Sequence, residues 1–138
     1  LIPGLDYTYY EGDWDVHPDF ANLTLVKEGV AKGFRLDLAD VEGGYAARFS
    51  GYVDVPRNGI YTFLTDSGNR TRLLIGSTCV VDNSGPDRAR KKVGFVALKA
   101  GPHPLAGEYS RQGSGSGLSV TFAGPGIKMQ RIPVVRNP

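Results

Sequence analysis

The chain has 138 residues, enough for one domain with a single core. Hydrophobic residues at 41% and charged residues at 22% exclude a disordered chain, and no apolar run approaches the roughly 18–20 residues of a membrane-spanning helix. A net charge of +2 is too mild to argue for a nucleic-acid partner, and the single cysteine, Cys79, excludes an internal disulfide framework and a zinc cluster.

Leu5 to Tyr9 alternates with period two and predicts a strand. Trp14 to Phe20 fits neither period and contains Pro18, so it reads as a loop. Asn22 to Arg35 is broken by Gly29 and Gly33 and reads as a short helix or an irregular arm. From Tyr45 the pattern is clear. Ala47, Phe49, Val53 and Val55 share one face, while Arg48, Ser50, Tyr52 and Asp54 share the other. Pro56 to Gly59 is a turn, and Ile60 to Thr65 is a second strand, so residues 45–65 are expected to form a β-hairpin.

After a turn at Asp66–Asn69, strands are predicted at Thr71–Ile75, Cys79–Asp82, Gly94–Leu98, His103–Ser110 and Leu118–Phe122, with an edge strand at Ile132–Val135. Prolines keep to turns and ends. Nineteen glycines, about twice the average share, suit many short strands joined by tight turns. The fold class is therefore all-β, an antiparallel β-sandwich or barrel with short irregular or helical insertions. Residues 1–138 form one domain, with an opening strand and irregular arm over 1–44 and the main sandwich over 45–135.

Hydrolytic chemistry needs an acid and base, or a nucleophile and base, within hydrogen-bonding reach. His17 and His103 each stand beside a proline, outside any catalytic motif. Gly113–Gly117 reads as a flexible loop, since a strand rather than a helix follows it. Cys79 reads as a buried inert thiol, and Arg88–Lys92 as a solvated loop. Trp14 lies among Asp13, Asp15 and His17, a mixture of aromatic platform and polar groups that suits a sugar.

Several segments, in order, resemble the PA-14 domain, the protective-antigen-type module. They are Phe49–Pro56, Asn58–Phe63, Leu73–Gly76, Val80–Asn83, Val96–Pro104, Glu108-Tyr109, Gly117-Leu118 and Ala123–Ile127, with Gly4–Gly12 similar to the family's opening. The resemblance implies a β-sandwich module of bacterial glycosidases, adhesins and toxins that binds carbohydrate in some members and is structural in others. It is most similar to modules appended to secreted bacterial glycoside hydrolases. That implies an extracytoplasmic location (periplasmic, cell-surface or secreted) and a covalently linked catalytic domain. The start at Leu1 without a leader fits an excised piece of a multidomain protein.

In adhesins of the family, a pair of adjacent aspartates holds calcium and, through it, a sugar's hydroxyls. The matching positions here are Gly68 and Asn69, followed by Arg70, or in a shifted reading Asp66-Ser67. One carboxylate at most replaces two, so the expectation is no cofactor, with calcium disfavoured. An uncharged and then cationic rim remains. The candidate carbohydrate-binding residues are Asn69, Arg70, Arg72, Arg111, Gln112, Asp66 and Trp14, with no catalytic and no metal-binding residue. Two readings stay open. One is a non-catalytic carbohydrate-recognition module with a glycan partner, and the other is a structural spacer packed against a catalytic domain. Neither involves nucleic acid or membrane insertion.

Overall fold

A computed structural model of the chain describes residues 1–36, 43–87, 89–112 and 117–138. The strands are β1 (Ile2–Pro3), β2 (Leu5–Glu11), β3 (Lys27–Ala31), β4 (Tyr45–Val55), β5 (Gly59–Asp66) and β6 (Arg70–Ile75), followed by β7 (Thr78–Asn83), β8 (Lys91–Leu98), β9 (Gly101–Arg111), β10 (Ser119–Gly124), β11 (Ile127–Arg131) and β12 (Val135–Arg136). Among the described residues, one 3-10 turn at Phe20–Asn22, capped by Asp19, accompanies them. The strands form two antiparallel sheets packed face to face, and among the described residues no barrel closes. One is eight-stranded, with β1-β12-β4-β9-β6-β7 in order and β2 and β3 continuing beside β4; the other is β11-β10-β5-β8.

The predicted hairpin over 45–65 does not form. Val53 of β4 lies opposite His103 of β9, whereas Phe63 of β5 lies opposite Gly94 of β8. The chain therefore arches from one sheet to the other at Pro56–Asn58. Side-by-side pairing would leave both apolar faces on one side of a single sheet with nothing to cover them. Arching sets Phe49 and Val53 against Tyr61 and Phe63 in the core, and each fully buried side chain of that size contributes about 1.5–3 kcal/mol. Asn58 fastens the arch by accepting the Ala100 N–H at 2.8 Å.

Two other expectations are corrected. Asn22–Arg35 is neither helix nor irregular throughout, because Lys27–Ala31 pairs with β2, from Leu5↔Ala31 to Tyr9↔Lys27. As an outer strand with no fully buried residue it carries no apolar alternation to read. Gly29 is opposite Tyr7, whose hydroxyl and ring atoms stand 2.9–3.0 Å from where a Cβ would be. Cys79 is exposed, not buried. A register shift in the β6–β7 pair sets Leu73 opposite Val81 but Leu74 opposite Cys79, so the extra residue, Val80, turns the thiol outward. The predicted Gly113–Gly117 loop lies, apart from Gly117, outside the described residues, as does Arg88 of the basic run. Two cations of that run are tied down: Lys92 Nζ donates to the Asp82 carbonyl at 2.7 Å, and Arg90 pairs with Asp66. No described helix is long and apolar enough to cross a membrane.

Candidate functional site

Period-two alternation in β9 turns Leu105 and Tyr109 inward and leaves Glu108 and Ser110 on the outer face of the large sheet. Register then builds a row of polar side chains across four strands: Arg48 opposite Glu108, Glu108 opposite Arg72, and Arg72 opposite Asp82. The loop after β2 folds back over this face. His17 Nδ1 lies 3.1 Å from Ser110 Oγ, and its Nε2 lies 3.1 Å from Glu108 Oε1. An ionised Glu108 accepts from Nε2–H, which leaves Nδ1 to accept the Ser110 hydroxyl proton in the neutral ring. These three groups have the composition of a hydrolytic triad. Ser110, however, is 0% exposed, so no carbonyl can reach its oxygen, and the cluster serves as an anchor for the loop.

The loop so anchored carries Trp14 and Asp15 to the end of the sandwich where the other candidates lie. Arg70 Nη2 donates to the Trp14 carbonyl at 2.5 Å, and Gln112 Nε2 donates to Asp15 Oδ1 at 3.3 Å. Asn69 Nδ2 donates to the Tyr109 hydroxyl at 2.8 Å, while its backbone N–H donates to Ser67 Oγ. The Arg111 guanidinium lies 4.4 Å above the Tyr45 ring, itself 5.6 Å from Tyr109, and its Nε donates to the Gly43 carbonyl. Burial pushes the Tyr109 hydroxyl far above its ordinary value, so it stays protonated at any physiological pH.

Trp14, Asn69, Arg70, Arg111 and Gln112 thus come from three distant stretches of chain and meet at one end. Two candidates lie apart. Asp66 accepts from Arg90 Nε at 2.6 Å, and Arg72 sits in the polar row with Glu108 and Asp82. Arg70 is not part of an exposed cationic rim. It is 4% exposed and clamps the Trp14 loop. Sequence reasoning missed His17, Glu108 and Ser110 as a group. Alternation placed Glu108 and Ser110 on one face, but nothing in it says that a loop about ninety residues earlier covers them.

Glu108 gives a pH prediction. Burial raises its pKa, but the hydrogen bond and charge of His17, with Arg72 and Arg48, outweigh burial and hold the carboxyl below its ordinary 4.5. A depressed carboxyl stabilises the fold above its unfolded value and loses that contribution as pH falls through the folded one. Stability should therefore decline on acidification below about pH 4.5, and Glu108→Gln should flatten that slope in urea titrations between about pH 3 and 6. An unchanged slope would show that Glu108 is not the group responsible.

The described residues build a two-sheet antiparallel β-sandwich with polar loops at one end. The family model of the PA14 domain matches residues 36–135, and the chain belongs to that family. Several solved structures share its fold, three of them as follows. An anti-sigma factor domain-containing protein from Clostridium clariflavum matches with TM-score 0.76 and 21% identity, over 99% of this chain and 50% of its own. A PA14 sugar-binding domain from an RTX adhesin matches with TM-score 0.77 and 15% identity, over 99% of this chain and 100% of its own. A β-glucosidase from Kluyveromyces marxianus in complex with glucose matches with TM-score 0.63 and 13% identity, over 88% of this chain and 16% of its own. The chain spans about half the length of the two anti-sigma factor domain-containing proteins it matches. No curated protein matches the sequence.

The positions that the resemblance assigns to the family's aspartate pair, Gly68 and Asn69, supply no carboxylate. Gly68 offers no side-chain oxygen, Asn69 directs its amide nitrogen to Tyr109, and the Asp66 carboxylate is occupied by Arg90. Among the described residues, no three His, Cys, Asp or Glu side chains are grouped to hold a metal ion.

Proposed function

We propose that the chain is a non-catalytic carbohydrate-recognition module that binds its glycan without calcium, at the end of the sandwich where Trp14, Asn69, Arg111 and Gln112 meet. The observation that carries this reading is their convergence through Gln112–Asp15, Arg70–Trp14 and Asn69–Tyr109. Membership of the PA14 family supports it, as does the likeness to a domain described as sugar-binding. In this reading the parent is an extracytoplasmic multidomain protein with a linked glycoside hydrolase, a context supported by the similar module within a β-glucosidase.

Trp14 is the chain's only tryptophan, so its fluorescence reports on the site directly. Titration with a glycan panel should give saturable quenching or a blue shift that EDTA leaves unchanged. Asn69→Ala or Gln112→Ala should weaken binding about three- to tenfold, the worth of one hydrogen bond. Failure of every glycan to bind, with and without calcium, would defeat the proposal, and loss of binding on chelation would defeat its calcium-free form.

A second reading, the structural spacer, draws on the outer face of the small sheet. Ile60 and Phe95 are 64% and 68% exposed there, and Thr62 opposite Phe95 and Leu64 opposite Val93 keep the centre of that face uncharged.

A further inference from the structure

The largest cavity among those described, about 690 Å³, opens between the stretch after β3 and the segments 118–120 and 131–135. Its floor is apolar, made of Phe34, Leu118, Val120, Ile132 and Val134, each nearly closed to solvent. Phe34 stands edge-on to Phe49 at 5.7 Å and wedges the floor shut. A second cavity, about 160 Å³, shares Phe34, Arg35 and Leu118 with the first and continues to Tyr45, Tyr109 and Arg111. The two adjoin through these shared residues as one cleft, and its smaller end reaches Arg111 of the proposed glycan site.

Among the described residues the charge along this cleft has one sign. Lys32, Arg35 and Arg131 line the larger cavity and Arg111 the smaller, and no Asp, Glu, Asn or Gln is among the described residues lining either. Elsewhere four arginines are matched to carboxylates: Arg48 and Arg72 with Glu108, Arg90 with Asp66, and Arg136 with Asp6. Lys32, Arg35 and Arg131 have no such partner among the described residues.

Lysine and arginine only donate hydrogen bonds. A neutral sugar presents hydroxyls that must also donate, and its sites supply amide or carboxylate acceptors. This cleft has few acceptors: the Ser119 hydroxyl, two tyrosine hydroxyls and backbone carbonyls. It suits a ligand rich in acceptor oxygens whose apolar C–H faces rest on the floor.

We propose that the glycan taken by this module is acidic, bearing carboxylate or sulfate groups. It runs from the loop end into the cleft, with its anions held by Arg35, Lys32 and Arg131. The proposal rests on the carbohydrate reading above and names its substrate class. Anion recognition is centred on Arg35, which belongs to both cavities and lies along Gly117, with Cγ and Nε 3.4 Å from where a Cβ of that residue would stand.

The test is calorimetric titration of the full 138-residue chain with three probes: an oligogalacturonate carrying carboxylates, a heparin-derived oligosaccharide carrying sulfates, and a neutral cello-oligosaccharide. At least one acidic probe should bind about tenfold or more tightly than the neutral one, and the stronger of the two identifies the anion. Arg35→Gln should lose roughly that factor, and Lys32→Gln and Arg131→Gln part of it. Lys99→Gln, exposed and outside the cleft lining, should leave affinity unchanged. Neutral binding equal to or stronger than acidic would overturn the inference and leave the carbohydrate reading standing. An equal loss in Lys99→Gln would likewise overturn it, by exposing unspecific attraction. Binding of no probe would overturn it, and only failure across the wider glycan panel would take the carbohydrate reading with it.

Discussion

Alanine at position 108 is expected to lower the unfolding free energy by about 3 kcal/mol, a large fraction of the stability of a domain this size. Glu108 is the anion on which His17 Nε2, Arg72 Nη1 and Arg48 Nε converge, at 3.1, 3.6 and 3.7 Å. The side chains of Glu108 and His17 are 12% and 8% exposed, so water replaces little of what is lost. Arg48 and Arg72 are 40% and 34% exposed and regain solvation, which keeps the cost below that of a fully buried charge cluster. Glu108→Gln keeps an oxygen for His17 and should cost about 1 kcal/mol.

The functional consequence follows from position. His17 fastens the loop that presents Trp14 and Asp15, so Glu108→Ala should weaken glycan binding although Glu108 lies outside the glycan site. A double-mutant cycle of Glu108→Ala with His17→Ala, read by urea unfolding, should show a coupling of about 1–2 kcal/mol. Additive losses would mean that the two side chains do not act as one anchor.

Valine at position 94 is expected to be at least as damaging, at about 3 kcal/mol, with alanine already costing about 2. Gly94 lies on β8 opposite Phe63, where the edge of the small sheet approaches β7 of the large one. A Cβ there would overlap the Val80 carbonyl oxygen and come within 2.8 Å of its carbon and 2.9 Å of Cγ1. These are largely backbone atoms, so no rotamer change makes room and the seam between the sheets must open. Lys92 to the Asp82 carbonyl and Asn83 to the Ala89 carbonyl, both 2.7 Å, tie the same seam and would be strained with it. Urea midpoints should fall with unchanged slopes. A Gly94→Ala variant within about 0.5 kcal/mol of the parent would show that the seam adjusts.

Much of the fold was legible because burial on one face of a strand leaves a period-two record. Tyr45–Val55, Ile60–Thr65 and Leu118–Phe122 could be recognised as strands, and the all-β class followed. The record fades where burial does. Ile127–Arg131, with four of its five residues exposed, carries no alternation and was not anticipated, and Lys27–Ala31 was misread for the same reason. Composition and family resemblance point to Trp14, Asn69, Arg111 and Gln112, but not to the contacts through Asp15, Tyr45 and Tyr109 that gather them.

By itself the sequence determined which residues face inward along each strand, because that is a local property of a pleated chain and its side chains. Which strands pair, and with it the placing of β4 and β5 across the core from each other, depends on the packing of the whole chain. Hydrogen-bond partners depend on how whole apolar faces are covered, and a single strand holds no trace of that. The same holds for charge: Arg70 and Arg35 are alike in sequence, yet packing spends one on a carbonyl inside the fold and leaves the other over an open cleft.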